Sequence, residues 1–333
     1  MLFHNRYILL YLSLILTISF TACKDENKFS VKLDGTEKNV EITYFDEAFW
    51  AIQGLSFTED LAELKNKYPD FFLNKTVSDA DWRKRYMDGA LKNFSDSLSI
   101  LFKDSTQYHT EINAGFKRFQ HYYKGVKVPQ LSAWFSNFEM EKPIVSSENT
   151  LFIGKEHFLG PRHIFYKGVP EYIRFDKQMS FLGPKIMLEW SQRFNITLEK
   201  NQSFLSKIIF EGKQLYFAEQ LLQLEEDHRI IAYSREDLAW AKKNEASIWQ
   251  FFINNDYLFS TEQKLSRRFI EPSPFSKFYT GNDNITPGRI GSWIGWRIVQ
   301  SYMKHNPSIT LPQLMQEKNA KKILNKSKYK PKI

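Results

Sequence analysis

Two rhythms of apolar and polar positions run along the chain. A period of two marks residues 39–45, Asn-Val-Glu-Ile-Thr-Tyr-Phe, as a strand. Shorter β-like stretches follow at 129–137, 143–147 and 150–154, the last two separated by a Ser-Ser-Glu-Asn turn. A period near 3.6 predicts helices starting at Asp46, over 60–67 (stopped near Pro69), over 79–102 and over 112–123. The strongest helical pattern covers 202–222, where Leu205, Ile208, Ile209, Gly212, Leu215 and Tyr216 share a side. Ser234-Arg-Glu-Asp237 reads as a capping box opening a helix over 238–252. Residues 160–172 and 272–284 read as irregular. The pattern implies an α+β fold, mainly helical, with a small β-sheet packed by helices.

One stretch organises the rest: Thr286-Pro-Gly-Arg-Ile-Gly-Ser-Trp-Ile-Gly-Trp-Arg-Ile-Val-Gln-Ser-Tyr302. Thr286 is expected as its N-cap, with Pro287 at the first helical position. Gly288, Gly291 and Gly295 fall on one face, and each interior glycine costs roughly 0.5–1 kcal/mol relative to alanine. A helix carrying three of them is expected to accept another backbone at close range. Isoleucines and tryptophans on the other sides mark it as buried. The helix bearing Gly212 is the expected partner. Packing alone accounts for this groove; the functional reading is that it positions a neighbouring site.

The N-terminus speaks to compartment. His4, Asn5 and Arg6 precede an apolar run over 7–20, too short to span a bilayer comfortably, and then Phe20-Thr-Ala-Cys23. Small residues before a lone cysteine resemble a bacterial lipobox, with Cys23 as the lipidated residue. The expected division is a signal peptide over 1–22, a tether over 23–38, one globular domain over 39–317 and a basic tail over 318–333. Lys24-Asp-Glu26 lacks an Asp directly after the cysteine and resembles a surface-export tag. That favours the outer membrane, on its periplasmic face or at the cell surface.

Charge then changes the picture less than it first suggests. The net charge is +8 over 333 residues, but Arg6 and the seven lysines of 318–333 account for all of it. The body is balanced, so no nucleic-acid partner is implied. The lysine-rich end could meet anionic lipid or polysaccharide phosphate. Cys23 is the single cysteine, which excludes an internal disulfide and any cysteine-rich zinc site.

Candidate chemistry is sparse. The seven histidines include no i, i+4 pair, and there is no HExxH, GxSxG, Walker A or GxGxxG sequence. His157 and His163 are six apart, a loose arrangement. Glu211 stands out beside the buried side of its helix, either as a site carboxylate or as a surface acid paired with Lys207. Asp176 reads as a helix cap. Aromatics such as Phe275, Phe278, Tyr279, Trp293 and Trp296 could stack on sugars or fill the core.

Several blocks, in this order, resemble the gliding-motility lipoprotein GldB family of Bacteroidota: Tyr44-Phe-Asp46, Phe165-Tyr-Lys-Gly-Val-Pro-Glu-Tyr-Ile173, Glu211-Gly-Lys-Gln-Leu-Tyr216, residues 249–260, Pro274-Phe-Ser-Lys-Phe-Tyr279, Pro287-Gly-Arg-Ile-Gly-Ser-Trp-Ile-Gly-Trp296 and Asn325-Lys-Ser-Lys-Tyr-Lys-Pro331. The resemblance implies a cell-envelope lipoprotein of the gliding machinery, tied to type IX secretion. Its implied partners are the bilayer, through acylated Cys23, and other envelope proteins. A fainter likeness is to gluzincin-like zinc peptidases, in which a Glu-Gly helix supplies a metal ligand beside a glycine-spaced helix. On that likeness Glu211, Gly212, Gly288, Arg289, Gly291 and Gly295 would be the remnants of a site on a degenerate zincin-like scaffold. HExxH is missing, and catalytic zinc takes three protein ligands. The expectation is therefore a non-enzymatic protein with no cofactor and no metal. The rival readings are a metal-dependent peptidase or envelope hydrolase using Glu211, and a glycan- or lipopolysaccharide-binding lipoprotein.

Overall fold

A computed structural model describes Leu33 and residues 35–52, 56–73, 77–196, 202–225, 227–281 and 283–332. Residues 35–333 cluster as a compact unit. Cys23 and most of the expected tether lie outside the described residues.

The sheet has four strands, β1 (Ile42–Tyr44), β2 (Gln130–Trp134), β3 (Ile144–Ser146) and β4 (Thr150–Gly154), in the order β1-β2-β4-β3. β1, β2 and β4 are parallel, and β3 closes one edge antiparallel to β4. Register fixes what each face shows. Leu131 pairs with Leu151 and Ala133 with Ile153, and all four are buried on one face, with Ser132, Trp134 and Phe152 on the other.

The second face is covered by an aromatic layer. Helices α1 (Phe45–Trp50), α2 (Phe57–Lys67) and α3 (Asp79–Tyr86), with the 3-10 turn Pro69–Phe72, gather Phe45, Phe49, Phe57, Tyr68 and Trp82 into one cluster. Phe71 stacks on Phe45 with ring centroids 3.8 Å apart. α4 (Gly89–Lys103) follows α3 after a break. The single helix expected over 79–102 is thus two. Asp88 breaks it, its side chain accepting the amides of Ala90 and Leu91 at 3.0 Å as a new N-cap.

The larger, helical half is built on α8 (Phe204–Leu222), preceded by α5 (Thr106–Tyr122), α6 (Glu171–Arg174) and α7 (Leu182–Ser191). It is followed by α9 (His228–Ile231), α10 (Arg235–Asn254), α11 (Lys264–Phe269), α12 (Ile290–His305), α13 (Leu311–Gln316) and α14 (Ala320–Ser327). α8 is buried on nearly every side and touches α5, α7, α12, α13 and α14. α10 opens with the expected capping box of Ser234 and Asp237.

The lysine-rich end is not the tail expected over 318–333. Asn319 caps α14, Ile323 is fully buried, and α14 packs on α12. Tyr329 Oη donates to Glu245 Oε1 of α10 at 2.8 Å. The lysines point outward while Ala320, Ile323 and Ser327 bury one stripe, so charge count alone concealed an amphipathic helix. Truncation after Glu317 should therefore unfold the chain at a lower temperature by several degrees, as read in a thermal melt; an unchanged melt would reduce α14 to an ornament.

Candidate functional site

Glycines bring α8 and α12 together. A Cβ at Gly212 would lie 2.6 Å from the amide nitrogen of Trp296 and closer still to the Gly295 carbonyl. One at Gly295 would overlap the Ile208 carbonyl, and one at Gly291 would stand 2.8 Å from the Phe269 carbonyl oxygen. The expected pairing of Gly212 with the glycine helix is what the structure contains.

The helix start differs from expectation. α12 begins at Ile290, behind an Arg289 held at φ 60°. Thr286 is not the cap: its hydroxyl lies 2.7 Å from the Asp283 carbonyl and 2.9 Å from that of Ser276. Ser276 takes the capping role from earlier in the same connection, its hydroxyl donating to the Pro287 carbonyl at 2.7 Å and accepting from Ile290 N at 3.2 Å. Gly288 is pressed on the Ser273 carbonyl, and its own carbonyl accepts the Tyr233 hydroxyl at 2.6 Å. A segment folded beneath the helix thus displaced the local cap, which sequence periodicity does not encode.

Glu211 lies one residue before this crossing. Lys207, its expected partner, reaches Gln263 and Ser266 instead, at 3.1 Å each. Burial pushes the Glu211 carboxyl upward, and the positive charge of Arg289 works against that. Arg289 Nη1 donates to the Ile231 carbonyl at 3.1 Å. Beside Arg289 opens a cleft of about 140 Å³ whose walls include Tyr172, Phe175, Tyr233, Pro274 and Gly288. Asp176, also on this cleft, is ion-paired with Lys185 at 2.6 Å rather than capping a helix.

The sheet carries a second polar group that sequence reading missed. Asp46, Ser136, Lys155, Glu156 and His157 all follow the carboxyl ends of parallel strands and all are buried. Lys155 Nζ pairs with Asp46 at 2.5 Å and donates to Ser99 Oγ at 2.7 Å, while Asp46 accepts from Phe135 N at 2.8 Å. Glu156 is held by the Ser136 hydroxyl. His157 lies 2.9 Å from the Met140 carbonyl and 3.0 Å from Lys177 Nζ. Burial first, then Lys177, push its imidazole down to about 4, so it is neutral near pH 7. The available signal was position, since polar groups gather at the carboxyl ends of parallel strands.

These two places do not combine into a metal site. Among the described residues no three His, Cys, Asp or Glu side chains gather so as to hold a metal ion. α7, which lies between the sheet and α8 where the peptidase likeness would put HExxH, buries Ile186, Met187 and Trp190.

Three of the recognised sequence blocks meet at the cleft: Tyr172 from 165–173, Pro274 from 274–279, and Pro287 with Arg289 from 287–296. The chain matches the family described as "Gliding motility protein GldB" over residues 26–331. This protein belongs to the GldB family. No curated protein and no solved structure matches the chain. The family match takes in α14, so the C-terminal helix is part of the GldB unit. Among the described residues no helix of this GldB-family chain is long and apolar enough to cross a membrane.

α8 of this GldB-family fold holds one more part-buried acid. Glu219 Oε2 accepts from Trp296 Nε1 at 2.6 Å and from Gln300 Nε2 at 3.0 Å, and burial pushes its carboxyl from 4.5 up to about 7. Between those values the folded chain holds a proton that the unfolded chain has released. Glu219 therefore stabilises the fold fully below pH about 4.5 and loses that contribution as pH rises towards about 7. Urea unfolding of Glu219→Gln should show a flatter decline in stability from pH 5 to 8 than the parent, because the amide has no proton to lose.

Proposed function

We propose that this protein is a lipid-anchored component of the gliding machinery, tied to type IX secretion. Acylated Cys23 holds it in the outer membrane, and it acts by contacts with other envelope proteins rather than by catalysis. The GldB match over residues 26–331 carries this reading. Multiple acyl chains on a lipobox cysteine give stable anchoring.

The non-catalytic part draws support from the α8–α12 crossing. Glu211 and Gly212 lie at this crossing, and the neighbouring α7, which carries no histidine, buries Ile186, Met187 and Trp190. The scaffold is read as zincin-derived, kept for its shape. A strain lacking the gene should fail to spread on agar, and Cys23→Ser should leave the protein outside the membrane fraction and fail to restore movement. Normal spreading of the deletion strain would end the proposal.

Metal-dependent hydrolysis is the second reading, favoured by a carboxyl raised by burial near a cleft. Its discriminator is metal content: stoichiometric zinc in purified protein, lost in Glu211→Ala, would replace the first reading with this one.

A further inference from the structure

A groove of about 540 Å³ lies between the outer face of the sheet and the aromatic layer, well away in sequence from the α8–α12 crossing. Its floor and walls are rings. Trp134 and Phe152 come from β2 and β4, Phe71 from the 3-10 turn and Trp82 from α3. Phe71 stands edge-on to both sheet aromatics, with centroids 5.3 Å from Trp134 and 4.6 Å from Phe152. Such volumes suit small ligands or single side chains with their flanking backbone.

The charges around the rings are unequal. Asp70, Asp81 and Glu139 line the groove against one cation, Arg85. Glu139 and Asp81 are exposed, and one Asp81 oxygen is occupied by Ser78 at the helix start. Arg85 is already engaged: it donates to the Phe135 carbonyl, and its guanidinium sits 5.2 Å from the Trp134 ring centre. The chain's own cation therefore already uses one ring of this groove. The negative faces of aromatic rings attract cations, and exposed carboxylates nearby add a second attraction of the same sign.

We infer that this groove accepts a lysine or arginine side chain from a partner protein segment. The inference rests on the reading that the protein works by protein contacts, and gives those contacts a place. The cationic head would lie among Phe71, Trp82 and Phe152 with Glu139 beside it, and its methylene stem would cover apolar ring surface.

The test uses purified full-length lipoprotein in detergent, so its failure leaves the deletion phenotype untouched. Indole N–H signals of Trp82 and Trp134, assigned through Trp→Phe substitutions, are followed by NMR. The probes are the blocked tripeptides Gly-Lys-Gly and Gly-Arg-Gly, the same lysine peptide acetylated on its side chain, and cellobiose. Saturable shifts with both cationic peptides are expected, with binding about fivefold weaker for acetyl-lysine. Glu139→Gln should weaken lysine binding about threefold, an effect that added salt reproduces, whereas Glu236→Gln on α10 should not. Absence of saturable shifts with either cationic peptide would overturn the inference. So would equal binding of acetyl-lysine, indifference to Glu139→Gln, or saturation by cellobiose alone, which would make the groove a saccharide site.

Discussion

Gly295→Ala is expected to destabilise the protein by about 3 kcal/mol or more, lowering its melting temperature by roughly 6–12 °C. Intrinsic propensity argues the other way, since alanine in a helix interior gains up to about 1 kcal/mol over glycine. Geometry decides between them. The added methyl would overlap the Ile208 carbonyl, a backbone group in the second turn of α8 that no rotamer change can move aside. The helices must separate, which loosens the contacts of Gly212 and Gly291 as well. Gly89 supplies the control: nothing lies within 4 Å of its would-be Cβ, so Gly89→Ala should be neutral or slightly stabilising. Thermal melts of the two variants side by side check this. Equal melts would mean that α8 and α12 are not in backbone contact.

Lys155→Met should cost about 4 kcal/mol, the second large effect, because it strands a buried carboxylate. Lys155 is fully buried, Asp46 is 3% exposed, and neither can recover water if its partner is removed. The instructive variant is the double one, Lys155→Met with Asp46→Asn. It leaves a neutral amide to accept the Phe135 N–H, and should be less destabilised than the sum of the two single changes by about 2 kcal/mol. Denaturant unfolding of all four proteins closes the cycle. Additive losses would show that the two side chains do not sense each other.

How much of this was legible in the sequence varied with the distance over which each feature is decided. The strand at 150–154, the long helix ending at Leu222 and the Ser234 capping box were readable because periodicity and caps are local. The Gly212–Gly295 contact was readable for another reason: two costly glycine positions explain one another. The Asp88 cap was also in plain sight, an Asp-Gly inside a long helical pattern, and so was the spacing of Ala320, Ile323 and Ser327 beneath the lysines. Other features were beyond any local reading. Ser276 takes over the start of α12 from the opposite side of a loop, and Asp46 meets a lysine more than a hundred residues further on only because parallel strands place their ends together. The candidate groove shares this origin, since its rings come from a turn, a helix and two strands.

Lys213 has a bearing on how the molecule is made. Its ammonium, buried in the middle of α8, finds its acceptors in the carbonyls of Met315 and Glu317 at 3.0 Å. The bed for Gly212 likewise arrives only with α12. A nascent chain leaving the ribosome therefore exposes this largely buried helix long before the pieces that solvate and cover it exist. Closure of the centre waits until residues 295–317 are made, and a polypeptide stopped before them would be sticky rather than merely short.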